Sequence, residues 1–285
     1  MNAQQSDQEY TRLGTLRRSW GRESLKRSFM ITVSLKEIVQ HLDSHLEPEP
    51  IDDVAVNGLQ VPGSDSVHRI AVSPDATFEV FEEVVRRDCN FLFVHHGIFW
   101  TYNREDRITE LKKKRLKLLF DYGISLYASH CPLDIHPQHG NNQTLFNLLE
   151  LQDQKPMGQY NGRNLGLMGT APDGEIDLGL LVQKLEAGLQ DQVRVYGFHP
   201  DPVRKIAIIT GQGQFGLKEA HSAGFDTFIT GEMNHYMYHD AKENGTNVIL
   251  AGHYRSETLG PKAIGQHLHE TFGLPYEFLD FPTGL

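Results

Sequence analysis

The chain has 285 residues, of which 39% are hydrophobic and 22% charged, enough apolar material for a buried core and too much for a wholly disordered chain. Its net charge is −10; residues 1–29 carry six basic groups against three acidic ones, which leaves −13 on the rest and argues against nucleic acid or anionic lipid as partners. No apolar run approaches the roughly 18–20 residues that span a bilayer, and two cysteines, Cys89 and Cys131, cannot build a disulfide framework or a four-cysteine zinc site, a usage that fits a reducing, cytoplasmic compartment.

Residues 1–29 lack a sustained apolar period and the apolar stretch of a secretory signal, so they read as a disordered extension, with Met30 opening the patterned part. In 35–46, Leu35, Ile38, Val39, Leu42 and Leu46 share one helical face, and Pro48 and Pro50 then break the helix. Strands and helices alternate from there. Strands are expected at 70–72, 90–94, 125–128, 205–210, 227–230, 248–250 and 276–279. Helices are expected at 77–87, 110–121, 143–149, 178–187, 217–223 and 261–271. The stretch 153–175, rich in Gly, Pro, Asn and Asp, reads as loop or irregular β structure. Strands separated by helices imply an α/β fold with largely parallel sheets.

An internal repeat organises this pattern. Residues 69–96 align with 205–232 without gaps at an offset of 136, each half reading strand, helix, strand and a polar pair. The echo continues at an offset of 123, where SLYASHCPLD (125–134) matches VILAGHYRSE (248–257). The chain therefore reads as a duplicated α/β unit. Residues 30–150 form the first repeat and 205–285 the second; 151–204 is a connecting segment too short for a large inserted domain.

The repeat places its polar groups at strand ends, where α/β sheets form their sites. His95 and His96 follow an apolar run and precede Gly97, which permits the turn that lets both rings reach one region. His130 with Asp134, and His253 with Glu257, are matched histidine–carboxylate pairs four residues apart. Taken singly, each reads as a structural pair or a helix cap. Together they form an imidazole and carboxylate set suited to zinc, iron, manganese or cobalt, and carboxylates can bridge two ions. Cys131 beside His130 is a weak nucleophile candidate. The GQGQFG stretch (211–216) reads as a tight strand-to-helix turn, with anion binding the lesser reading. The basic run Lys112, Lys113, Lys114 and Arg115 reads as a solvated helix face.

The stretches VNGLQVPG (56–63), FVHHGIFW (93–100), YASHCPLDIHPQHGNNQTL (127–145), TFITGEMNHY (227–236), AGHYRSETLG (251–260) and FLDFPTGL (278–285) resemble, in order, the dinuclear-metal, ring-forming family known as GTP cyclohydrolase I type 2 homologues. The resemblance covers about residues 31–285 and has no counterpart for 1–29. It implies two intertwined α/β repeats assembled as a homohexamer, a trimer of dimers. It implies two divalent transition-metal ions held by His95, His96, Asp134, His253 and Glu257. His130 and Glu232, the repeat partners of His253 and His96, become candidate proton shuttles. The function it suggests is metal-dependent hydrolysis of an unidentified small molecule. The alternative is a non-enzymatic metal-handling or scaffold protein.

Overall fold

A computed structural model describes residues 31–46, 51–101 and 107–285. The expectations for residues 1–29, Pro48 and Pro50 lie outside the described residues. Every element described falls within Val33–Leu285. The first half runs β1 (Val33–Ser34), α1 (Leu35–Leu46), β2 (Gly58–Val61), β3 (Ser66–Val67), β4 (Ile70–Asp75), α2 (Phe78–Arg86), β5 (Phe91–His96), α3 (Glu110–Tyr122), β6 (Ser125–Ala128), α4 (Cys131–Asp134) and α5 (Asn141–Leu148). A hairpin of β7 (Gln152–Tyr160) and β8 (Arg163–Thr170) follows, then α6 (Leu178–Leu189) and β9 (Arg194–Tyr196). The chain continues as β10 (Lys205–Ile209), α7 (Leu217–Ser222), β11 (Thr227–Thr230), α8 (His235–Asn244), β12 (Asn247–Leu250), α9 (His253–Ser256), α10 (Leu259–Phe272) and β13 (Tyr276–Phe278).

The apolar runs of the two repeats become the parallel centres of two sheets. In one, β4, β5 and β6 pair in parallel, β13 adds beside β4 in parallel and β2 adds beside β6 antiparallel. In the other, β10, β11 and β12 pair in parallel, with β8 and β9 antiparallel at their flanks and β7 outside β8. Ala71, Val72, Leu92, Phe93, Leu126, Ala207, Ile208, Phe228 and Val248 are fully buried, as strands covered on both faces require. The offset of 136 thus carries β4 onto β10 and β5 onto β11, strand for strand. The fold is mixed α/β, with antiparallel strands flanking the parallel centres everywhere except at β13, a parallel edge.

Helices cover the sheets with the faces their periodicity predicts. Leu35, Ile38, Leu42 and Leu46 of α1 pack with Ile264 and Leu268 of α10 against Ile70, Phe91 and Phe93. Thr77 and Thr109 cap α2 and α3 by accepting from Val80 and Lys112 backbone N–H groups. No helix among the described residues is long and apolar enough to cross a membrane.

Of the two forms expected for 153–175, the structure has the second, irregular β structure, rather than a loop. β7 and β8 form a hairpin whose register shifts between Gln152 and Lys155 and which turns at Asn161 and Gly162, with φ of 45° and 82°. Asn-Gly is the favoured pair for a tight hairpin turn with positive φ at both residues. Composition hides the strand because β7 is an edge, exposed along Gln152–Pro156, and an edge tolerates proline. The helix α8 and strands β2 and β9 also have no sequence-based expectation; each has few buried apolar positions to reveal it.

Candidate metal centre

The seven site residues expected from sequence meet at the carboxyl ends of the parallel strands. His95 and His96 end β5. His130 and Asp134 bracket the single turn α4 after β6. Glu232 follows β11, and His253 and Glu257 bracket the single turn α9 after β12. Both short helices do the same work: one turn brings residues i and i+4 onto one side.

Three imidazoles are oriented alike. His95 Nδ1 donates to the Ser129 carbonyl at 2.9 Å, His96 Nδ1 to Asp75 Oδ1 at 2.8 Å and His253 Nδ1 to Glu232 Oε1 at 3.1 Å. Each bond fixes the proton on Nδ1 and leaves the Nε2 lone pair for the centre, the arrangement that orients metal-binding histidines. The three Nε2 atoms face Glu257. His95 Nε2 lies 3.6 Å from Oε1, while His96 and His253 Nε2 lie 3.3 and 3.1 Å from Oε2. Asp134 Oδ2 approaches His95 Nε2 at 3.7 Å, and its Oδ1 accepts from Asn141 Nδ2 at 2.9 Å.

These donors form two triads that share one carboxylate. His95, Asp134 and Glu257 place one ligand atom each within 4.8 Å of one another, and so do His96, His253 and Glu257. His95 Nε2 is buried without a hydrogen-bond partner, its nearest carboxylate oxygens 3.6 and 3.7 Å away. Orphaned polar atoms at the focus of a nitrogen and oxygen donor set are costly unless a cation satisfies them. The residues present therefore fit divalent metal ions.

Electrostatics agrees. Burial opposes charge on His95, but Asp134 and Glu257 push its pKa up to about 10. Burial also opposes charge on His253, and Glu257 with Glu232 raises it to about 9. Burial lifts the Asp134 carboxyl above its ordinary range, whereas the fields of His95 and His96 overcome burial and hold Glu257 well below it. Without a cation, protons supply the positive charge. Since both raised values lie above 7, metal loading at neutral pH displaces about two protons per chain, and affinity rises with pH until the imidazoles are already neutral near 9 to 10. Calorimetric titration in buffers of different ionisation heat will read that release; a heat independent of buffer would contradict it.

His130 stands beside the triads, its ring centroid 5.0 Å from that of His95 and 5.6 Å from that of His96. Its Nδ1 donates to Asp53 Oδ1 at 2.8 Å. Asp53 also accepts from the backbone N–H groups of Ala55 and Cys131 and from the Asn57 amide; burial would raise its carboxyl, and His130, Ala55 and Asn57 hold it well below the usual range. Glu232 lies outside the triads, on the far nitrogen of His253. The Cys131 thiol is buried and burial pushes its pKa far up, which removes it as a nucleophile. In the turn after β10, the Gly211 N–H donates to Ser256 and the Gly213 N–H to Thr230, so these donors serve the fold. Lys112 lies over the Phe99 ring at 5.1 Å on α3.

The orienting groups Asp75, Asp53, Ser129 and Asn141 escape sequence reading. Asp75 ends β4, three residues beyond the apolar run Ile70–Val72, and lies across from His96. The centre opens into a cavity of about 340 Å³ walled partly by Trp100, Tyr160 and Phe215.

Residues 33–283 match the Duf34/NIF3 (NGG1p interacting factor 3) family model. A protein of Deinococcus radiodurans named GTP cyclohydrolase 1 type 2 homolog is 36% identical over 251 residues, 87% of this chain and 94% of that one. One of the same name from Pyrococcus abyssi is 39% identical over 88% of this chain and 99% of its own. The crystal structure of TTHA1606 from Thermus thermophilus superposes with a TM-score of 0.79 at 37% identity, covering 89% of this chain and all of that one.

Proposed function

The chain belongs to the Duf34/NIF3 family, and we propose that it is a dinuclear metal-dependent hydrolase; its relatives' name, GTP cyclohydrolase 1 type 2 homolog, supports the hydrolytic part of that reading. The observation that carries this reading is the sharing of Glu257 between two triads. Its two oxygens face different partners, Oε1 toward His95 and Oε2 toward His96 and His253. A carboxylate so placed can bridge two ions, one held with His95 and Asp134 and the other with His96 and His253. Bound there, such a pair supplies Lewis acidity and an activated water at neutral pH.

The chain's own residues supply the rest. Nδ1 bonds to Ser129, Asp75 and Glu232 keep the three ligand imidazoles aimed inward. His130, held by Asp53, is the group placed to take and return a proton at Nε2. The rings of Trp100, Tyr160 and Phe215 favour a planar substrate, and the buried Thr210 hydroxyl on the cavity wall has no hydrogen-bond partner in the protein. The family resemblance also leads us to infer the homohexameric ring, which a solution mass measurement tests.

The decisive assay offers GTP and a panel of phosphoesters to the metal-loaded protein. Turnover is expected, and it should vanish in His95→Ala/His96→Ala. His130→Ala should keep its metal while losing about 100-fold in kcat. No turnover above the double variant for any compound would remove the enzymatic reading and leave metal handling by the same ligands.

A further inference from the structure

Five of the 15 histidines gather away from the centre at Glu257. His41 and His45 lie four residues apart on α1, His136 and His139 lie between α4 and α5, and His267 lies on α10. His45 Nε2 is 2.9 Å from His139 Nδ1, and His41 Nε2 is 2.8 Å from His267 Nε2. The His267 ring centroid lies 4.2 Å from that of His45 and 4.7 Å from that of His139.

The partners of these rings set them apart. Every imidazole of the Glu257 centre has a carboxylate or carbonyl on its Nδ1. Among the described residues, His41, His45, His139 and His267 hydrogen-bond through their ring nitrogens only to each other. Two imidazole nitrogens at such distances share one proton, so each pair holds at least one free lone pair. Four half-buried rings facing one another without an anion bonded to them gain nothing that leucine or phenylalanine would not give more cheaply. They are, however, a ready donor set.

His136 has a different role. Its Nδ1 accepts from the backbone N–H groups of Gln138 and His139, so its Nε2 carries the proton, which it donates to the His45 carbonyl at 3.0 Å. It lies within 4.8 Å of the His45 and His139 donors, but both its nitrogens are committed. It ties the loop to α1 and so positions His139 against His45.

We propose that this cluster is a second metal site, taking one divalent ion of the zinc class through His45 Nε2, His139 Nδ1 and the His41–His267 pair. An all-imidazole set suits zinc, copper, nickel or cobalt and excludes magnesium and calcium, which demand oxygen. Zn–N bonds of about 2.0–2.1 Å in a tetrahedron hold ligand nitrogens roughly 3.3 Å apart. Within each pair the nitrogens, at 2.8 and 2.9 Å, must open by about half an ångström, and the His45 and His267 rings, stacked at 11°, must turn out of parallel for their in-plane lone pairs to reach one ion. His41 and His45, one helical turn apart, form a natural chelating pair. Burial and the neighbouring rings also keep these imidazoles neutral, the form that binds metal. Glu270, one turn beyond His267, is the carboxylate whose field reaches His139 and His267.

The test is a cobalt(II) titration of the full chain after chelation, with bound metal counted by elemental analysis and fold checked by circular dichroism. His45→Ala/His139→Ala is expected to bind about one ion fewer per chain than the parent while keeping the Glu257 centre filled. A folded Glu257→Gln chain is expected to retain about one ion. Copper(II) bound to that variant should show the electron-resonance splitting of several nitrogens, which His41→Gln/His267→Gln would reduce. A cobalt count unchanged in His45→Ala/His139→Ala, or a folded Glu257→Gln chain that retains none, overturns the second site; neither result touches the reading of the first.

Discussion

Glu257→Gln is expected to empty both triads at once and to cost the metal-free fold about 3–5 kcal/mol, the range for removing one partner from a buried charge cluster. The carboxylate is 4% exposed and faces three imidazoles at 3.1 to 3.6 Å. Glutamine keeps the size but removes the charge, and its amide can coordinate through oxygen alone. His95 and His253 then lose the anion that raises their pKa values, and they must be buried either charged and unpaired or neutral. Shedding those protons puts the cost toward the lower end of the range. His253→Ala is the informative comparison. It touches one triad only, so it should reduce metal at one position and spare the other, whereas Glu257→Gln should clear both. Elemental analysis after desalting and urea unfolding in chelator read the two effects separately. Equal metal loss in the two variants would mean that Glu257 serves a single ion.

How much of this is legible in the sequence follows from the physics of each feature. Buried parallel strands announce themselves as unbroken apolar runs, so the strands at 91–96 and 205–209 are readable to within a residue or two. The duplication is visible because both copies bury the same positions. Ligand candidates are legible because single-turn helices after β6 and β12 impose a four-residue spacing on His130–Asp134 and His253–Glu257. The hairpin β7–β8 is not, since its outer strand exposes most of its side chains and gives no period to read. Nor are Asp75 and Asp53, whose importance lies in contacts to His96 and His130, 21 and 77 residues away in the chain. The cluster around His45 is hidden for the same reason: three separate segments supply it, and no spacing links them.

Gly211→Ala should destabilise the chain by about 2–4 kcal/mol and weaken metal binding, although residue 211 carries no ligand atom. The repeat explains why. Position 211 corresponds to Asp75, whose side chain fixes His96 in the first half. In the second half the place of that side chain is taken by Glu257 itself. A Cβ on Gly211 would lie 1.9 Å from Glu257 Oε1 and 2.8 Å from its carboxyl carbon. The backbone there has φ of +59°, in the left-handed region, and cannot simply swing aside. Its carbonyl accepts from the Gly231 and Glu232 N–H groups, and its N–H donates to Ser256. Alanine therefore combines the strain of the left-handed conformation with displacement of the carboxylate that both triads use. Gly162→Ala separates the two contributions. It shares the positive φ, +82°, but nothing lies within 4 Å of its added Cβ, so it should cost about 1 kcal/mol and leave metal content intact. If Gly211→Ala merely matched Gly162→Ala in stability and held its full complement of metal, the crowding of Glu257 by residue 211 would have no consequence for the centre.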